Sequence, residues 1–155
     1  MAGRIDSRLK ELGITLPEAP MPAANYVPFA RTGNLLFIAG QIPMEGGKPQ
    51  FVGKLGQTMK VEDGQKAARL CALNVIAQVR TALDGDLDKV KRCVRVGGFV
   101  NCTPDFTDQP QVINGASDVI VQIFGDAGKH ARAAVGVNEL PLGVAVELEM
   151  IVEVE

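Results

Sequence analysis

Tryptophan is missing from this sequence, tyrosine and histidine occur once each, and aromatic residues make up only 5% of it. Little surface is therefore available for stacking nucleic-acid bases. Sixteen Lys and Arg stand against eighteen Asp and Glu, giving a net charge of −2 and a pI near 5.5, so no overall field draws the chain toward a phosphate backbone. A lone histidine, His130, excludes a histidine-rich metal centre. Cys71, Cys93 and Cys102 form no CxxC pair and are odd in number, which argues against both a zinc site and a disulfide framework. No apolar run reaches the ~18 residues of a membrane span, and Met1–Leu12 mixes charges throughout. Neither a transmembrane segment nor a signal peptide is expected, and a reducing cytoplasm is the default compartment.

Serine is almost as scarce. Only Ser7 and Ser117 are present, and Ser117 sits in GASDV, inside a helical pattern and without the second glycine of a nucleophile elbow. A Ser-His-Asp triad is not expected. Gly46-Gly47-Lys48 lacks Walker spacing and no GxGxxG follows a strand, so a nucleotide cradle has no support either. Cys71 falls on the core face of a helix and reads as structural; for Cys93 and Cys102 the pattern leaves a functional role open.

What is present suits one globular domain spanning residues 1–155, with 46% hydrophobic and 22% charged residues and no internal repeat. Residues 1–23 read as an N-terminal helix and extended connector. Ile5, Leu9 and Leu12 share a helical face over Arg4–Leu12, with Asp6 or Ser7 as starter and Gly13 as stop. Leu16–Pro28, with Pro17, Pro20, Pro22 and Pro28, is extended. Tyr26–Arg31 and Asn34–Ile42 suit a hairpin around Thr32-Gly33-Asn34. Val61–Leu83 carries the strongest helical periodicity, Val90–Val100 reads as a strand, and Gln111–Phe124 is a helix stopped by Gly125. Pro43–Gly56 and Asn101–Pro110 read as loops. His130–Val137 and Val144–Val154 are strand-like, and the second alternates Val144, Val146, Leu148, Met150, Val152 and Val154 against a face bearing Glu147, Glu149 and Glu153. The fold class is α+β: a mixed sheet with two helices on one face and a short N-terminal helix.

The segment HARAAVGV places Arg132 among small residues at the start of a strand, accessible to a carboxylate that a guanidinium holds through two parallel hydrogen bonds. An ordinary ion pair is the competing reading. Leu140-Pro141-Leu142-Gly143 then suggests a hairpin that returns Glu147 to the neighbourhood of Arg132, as a cross-strand salt bridge or a catalytic pair.

Three segments together, LLFIAGQIP (Leu35–Pro43), Asn114 after Val112-Ile113, and RAAVGVNELPLGVAVELE (Arg132–Glu149), resemble the Rid family, the YjgF-like reactive intermediate/imine deaminases. The resemblance runs from about Ala24 to the C-terminus. It implies a chorismate-mutase-like fold, a homotrimer with small-molecule pockets between subunits, and hydrolysis of enamine or imine intermediates such as 2-aminoacrylate or 2-iminobutyrate to 2-keto acids and ammonia. It implies no metal or organic cofactor, and neither nucleic-acid nor membrane partners are expected. By position, Arg132 matches the family's carboxylate-binding Arg and Glu147 its water-positioning Glu. Tyr26 and Asn114 match pocket residues, and Gly40 and Gln41 the strand motif around the site. Ala39 and Ala134 stand where the typical deaminase has Ser and Cys, removing polar atoms from the expected pocket wall. With the N-terminal helix and the longer reach from Phe106 to Arg132, they mark a divergent branch. Non-enzymatic binding of a small carboxylate metabolite at a subunit-interface pocket is the alternative function.

Overall fold

The computed structural model describes residues 3–22 and 24–155. Met1, Ala2 and Ala23, all within the expected helix-and-connector segment, lie outside the described residues. A five-stranded sheet has the order β1 (Phe29–Thr32), β2 (Leu35–Gln41), β7 (Val146–Val154), β5 (Val90–Asn101), β6 (Ala131–Val137). All neighbours are antiparallel except β5 and β6, which the crossover through α3 (Gln109–Phe124) makes parallel. A short hairpin of β3 (Met44–Glu45) and β4 (Lys48–Pro49) interrupts the segment expected to be only loop.

Helices α2 (Val61–Ala82) and α3 cover one face, as the α+β reading requires. The even-numbered residues of β7 are buried beneath them, and Ala67, Ala68, Cys71, Ala72, Val75, Ile76 and Val79 of α2 are fully enclosed. Small residues let these layers close. A Cβ on Gly115 of α3 would lie 2.8 Å from the Gln65 Cα of α2, inside van der Waals contact.

The N-terminal helix α1 (Arg4–Glu11) buries Ile5 and Leu9, each contributing about 1.5–3 kcal/mol on full burial. Neither Asp6 nor Ser7 starts it. Its first free amides, Arg4 N–H and Ile5 N–H, donate to the Asp88 carboxylate at 2.9 Å each, so a residue more than 80 positions away caps the helix. The partner strand in the first hairpin begins at Phe29, not Tyr26, leaving Tyr26 in the connector.

One expectation is overturned. The Leu140–Gly143 segment does not fold β7 back beside β6. It carries the chain over the end of β5, so that β7 lies between β2 and β5 while β6 occupies the sheet edge. Asn101, buried at the end of β5, holds this crossing: its Nδ2 donates to Val144 O (3.1 Å), Glu139 Oε1 (2.6 Å) and Gly53 O (3.3 Å). Lys54 Nζ adds bonds to Asn101 Oδ1 (2.5 Å) and Asn138 O (2.6 Å).

Candidate functional site

Glu147 projects from the sheet face opposite the helices, because Leu148 and Met150 on the same strand point into the core. Beside it, β2 carries a bulge. Ile38 pairs with Met150 and Gln41 with Leu148, so Ala39 and Gly40 together oppose the single residue Glu149. The bulge brings Gly40 against the Glu147 carboxylate, where a Cβ would overlap Oε2 and stand 3.0 Å from Cδ. Gly40 is therefore demanded by close approach rather than by an unusual φ angle. Ala39 is half-buried, and its N–H donates to Pro28 O at 2.9 Å, tying the bulge to the connector.

Gly40 and Glu147 line a cavity of about 770 Å³ with Tyr26, Gln41, Ile42, Met44, Pro141 and Leu142. The outer wall is the proline-rich connector, from Pro17 to Pro28. Two buried polar residues one turn apart on α2 hold these walls. Gln78 Nε2 donates to Pro20 O (2.6 Å), and Asn74 Nδ2 donates to Ile42 O (3.1 Å) and Met44 O (3.0 Å). The sequence reading assigned neither residue a role; a polar side chain at two successive turns of a buried face was the available signal. No hydrogen bond engages the Glu147 carboxylate among the described residues. Burial, with a smaller contribution from nearby Glu149, pushes its pKa above the ordinary glutamate range. A carboxylate in that condition holds a proton more readily than an ordinary glutamate, which suits it to accept one from water.

Arg132 lies elsewhere. It pairs across β5 with Val96, which in turn opposes Met150, so its side chain leaves the sheet on the helix-covered face. Its Nη1 donates to Ser117 Oγ (3.0 Å) and its Nη2 to Pro110 O (3.1 Å), both on α3. Asn114 lies one turn before Ser117 on α3 and so shares the helix face that carries it. Ala134, two residues along β6, shares the same face. The structure thus gathers Tyr26, Ala39, Gly40 and Glu147 at one place and Arg132, Asn114 and Ala134 at another, on opposite faces of the sheet. The expected proximity of Arg132 and Glu147 within one chain is corrected by the strand order: β5 separates β6 from β7.

Among the cysteines, burial raises Cys71 well above the ordinary thiol range and pushes Cys93 up to about 12, so both remain protonated fillers. Cys102 is buried at the edge of a second cavity of about 500 Å³ lined by Lys54, Thr103, Gln109 and Asn138, none of them expected site residues.

A family model described as "YjgF/chorismate_mutase-like, putative endoribonuclease" matches residues 6–154. The chain belongs to this family. The YjgF/chorismate-mutase-like fold accounts for the mixed sheet, the two covering helices and the short helix before them. Protein TCP17 of Trypanosoma cruzi is 49% identical over 98% of this chain and 95% of its own length. The crystal structure of Atu1372 from Agrobacterium tumefaciens is 51% identical, with a TM-score of 0.91 covering 97% of this chain and 92% of that one. A 2-iminobutanoate/2-iminopropanoate deaminase of Dermatophagoides farinae is 28% identical over 92% of this chain and 95% of its own. Among the described residues, no helix is long and apolar enough to cross a membrane.

Proposed function

We propose that this protein hydrolyses reactive enamine or imine intermediates of the 2-aminoacrylate or 2-iminobutyrate type to 2-keto acids and ammonia, at sites completed between copies of the chain in a homotrimer. The observation that carries this reading is the Glu147 carboxylate: unpartnered, raised in pKa, and set against Gly40 in the wall of a cavity of about 770 Å³. The family relationship and the deaminase relative support the chemistry. The separation of Arg132 from Glu147 supports the oligomer, since a second copy would supply the missing half of each site. Leu35, Phe37 and Val135, 37–46% exposed on the open sheet face, offer apolar surface for that assembly.

In this mechanism Arg132 grips the substrate carboxylate and fixes the imine carbon relative to Glu147. Glu147 orients a water and takes one of its protons as the oxygen adds to the carbon, converting C=N to a carbinolamine. It returns that proton to nitrogen, then relays the remaining hydroxyl proton to nitrogen as C=O forms and the C–N bond breaks, and the 2-keto acid and ammonia leave. Tyr26, 49% exposed at the cavity, and Asn114, on the α3 face that carries Ser117, would contact the remainder of the ligand.

The test is ammonia release from 2-iminobutyrate generated in place by an amino-acid oxidase. Turnover is expected for wild type and should vanish in Arg132→Ala. Equal rates in both would remove Arg132 from the site. Binding without turnover in wild type would favour the second reading, capture of a small carboxylate metabolite, to which the loss of polar atoms at Ala39 and Ala134 lends weight.

A further inference from the structure

Arg132 is held by neutral groups alone. Among the described residues the ion pairs are Arg8–Glu11 and Lys129–Asp126, so no carboxylate neutralises this guanidinium. Of its five N–H donors, two have partners, Ser117 Oγ at 3.0 Å and Pro110 O at 3.1 Å. The ordinary fate of a strand-borne arginine is an ion pair with a nearby acid. Here the charge stays uncompensated and three donors stay available.

The group holding Nη1 is itself held. Ser117 Oγ lies 2.9 Å from Nε2 of His130, the only histidine in the chain, and His130 Nδ1 lies 2.6 Å from Gly128 O. A carbonyl oxygen can only accept, so Nδ1 carries the proton. In the neutral ring Nε2 is then a bare acceptor, and Ser117 must donate its hydroxyl hydrogen to it. That leaves the Ser117 lone pairs directed to Arg132. The polarity of the whole chain is fixed: Arg132 donates to Ser117, Ser117 to His130, and His130 to Gly128. Each bond polarises the next. A helical serine commonly turns its hydroxyl back to the carbonyl one turn earlier; Ser117 bonds instead to His130 and Arg132.

We propose that Ser117 and His130 are positioning residues for Arg132: a hydrogen-bond relay that fixes one end of the guanidinium and keeps its remaining donors and full charge for a substrate monocarboxylate. The relay rests on the reading of Arg132 as the carboxylate grip. It also makes His130 a reporter of that grip, because a carboxylate drawing on the guanidinium alters the bond to Ser117 and, through it, the ring.

The single histidine makes the test direct. Nitrogen-15 NMR of wild type, at a pH where the ring is neutral, should show the Nδ1–H tautomer, and added 2-ketobutyrate should shift the ring signals. Ser117→Ala keeps a helix-forming residue, so the fold is retained. It should abolish that shift and weaken 2-ketobutyrate binding about five- to tenfold, the loss of roughly one hydrogen bond; Ser117→Thr should restore both. An Nε2–H tautomer, or unchanged affinity in Ser117→Ala, overturns the relay. Where Arg132→Ala loses binding while Ser117→Ala does not, the relay fails and the carboxylate reading stands. Where Arg132→Ala binds 2-ketobutyrate as wild type does, the carboxylate reading fails and the relay's purpose with it.

Discussion

Gly40 and the carboxylate of Glu147 share one small volume: a Cβ on the glycine would stand 3.0 Å from Glu147 Cδ and overlap Oε2. The obstructed atoms form the free end of a flexible side chain, so Gly40→Ala should fold, with the carboxylate displaced into the cavity. Misplacing a catalytic group by about 1 Å can lower the rate ~10²-fold. We expect Gly40→Ala to lose at least tenfold in kcat for imine hydrolysis with little change in melting temperature. A large drop in Tm with the rate per folded molecule intact would show that Gly40 serves packing alone.

Glu147→Gln should separate stability from activity. Burial and Glu149 raise the folded-state pKa of Glu147 above its unfolded value, so folding favours the protonated acid. That contribution is complete below the unfolded pKa of about 4.3 and is lost as pH rises through the higher folded-state value. At neutral pH the charged group therefore opposes folding. The amide should raise stability there, by an amount reduced by the hydration the group retains. The advantage should fade as the pH falls toward about 4. Turnover should drop by about 10²–10⁴. Melting curves across this pH range, beside ammonia release, measure both; a destabilised Glu147→Gln at neutral pH contradicts the electrostatic picture.

Asp88→Ala should loosen α1. The two backbone N–H bonds to Asp88 hold its carboxyl below the usual range, with Ile5 the larger cause and Arg4 next. A depressed folded-state pKa gives stability that is present above the unfolded value, about 3.9, and lost as pH falls through the folded one. Removing a helix cap typically costs about 1 kcal/mol. Amide hydrogen exchange should accelerate across Arg4–Glu11 in the variant and leave α2 protected. Equal acceleration in both helices would mean that α1 is part of the global unfolding unit.

These relationships show what a single sequence can express. The extent of α2 and the alternation of β7 were legible because each is written in local periodicity, 3.6 or 2 residues, against a buried face. The neighbour of β7 was not. That choice depends on the β5–α3–β6 crossover and on Asn101 gripping the Val144 carbonyl, which are non-local. The cap on α1 is likewise supplied from Asp88. For the candidate site, the sequence offered residues through the resemblance and through Arg132 among small neighbours. Their division between two sheet faces was not, because side-chain direction follows from strand order. The bond between Ser117 and His130 left only the trace of scarcity: the sole histidine and one of two serines.

That division yields the most demanding prediction. If each site takes Glu147 from one copy and Arg132 from another, Arg132→Ala and Glu147→Gln should each be inactive as homo-oligomers and should complement one another. In a cyclic assembly every seam pairs one copy with the next. A seam is intact only when the copy giving Arg132 carries the Glu147 change and the copy giving Glu147 carries the Arg132 change. Random assembly from equal parts, after unfolding and refolding together, makes about one quarter of the seams intact. The mixture should therefore recover roughly that share of wild-type activity, while the two proteins combined without refolding should remain inactive. A single-chain site gives no recovery at any mixing ratio, because every chain then carries its own defect.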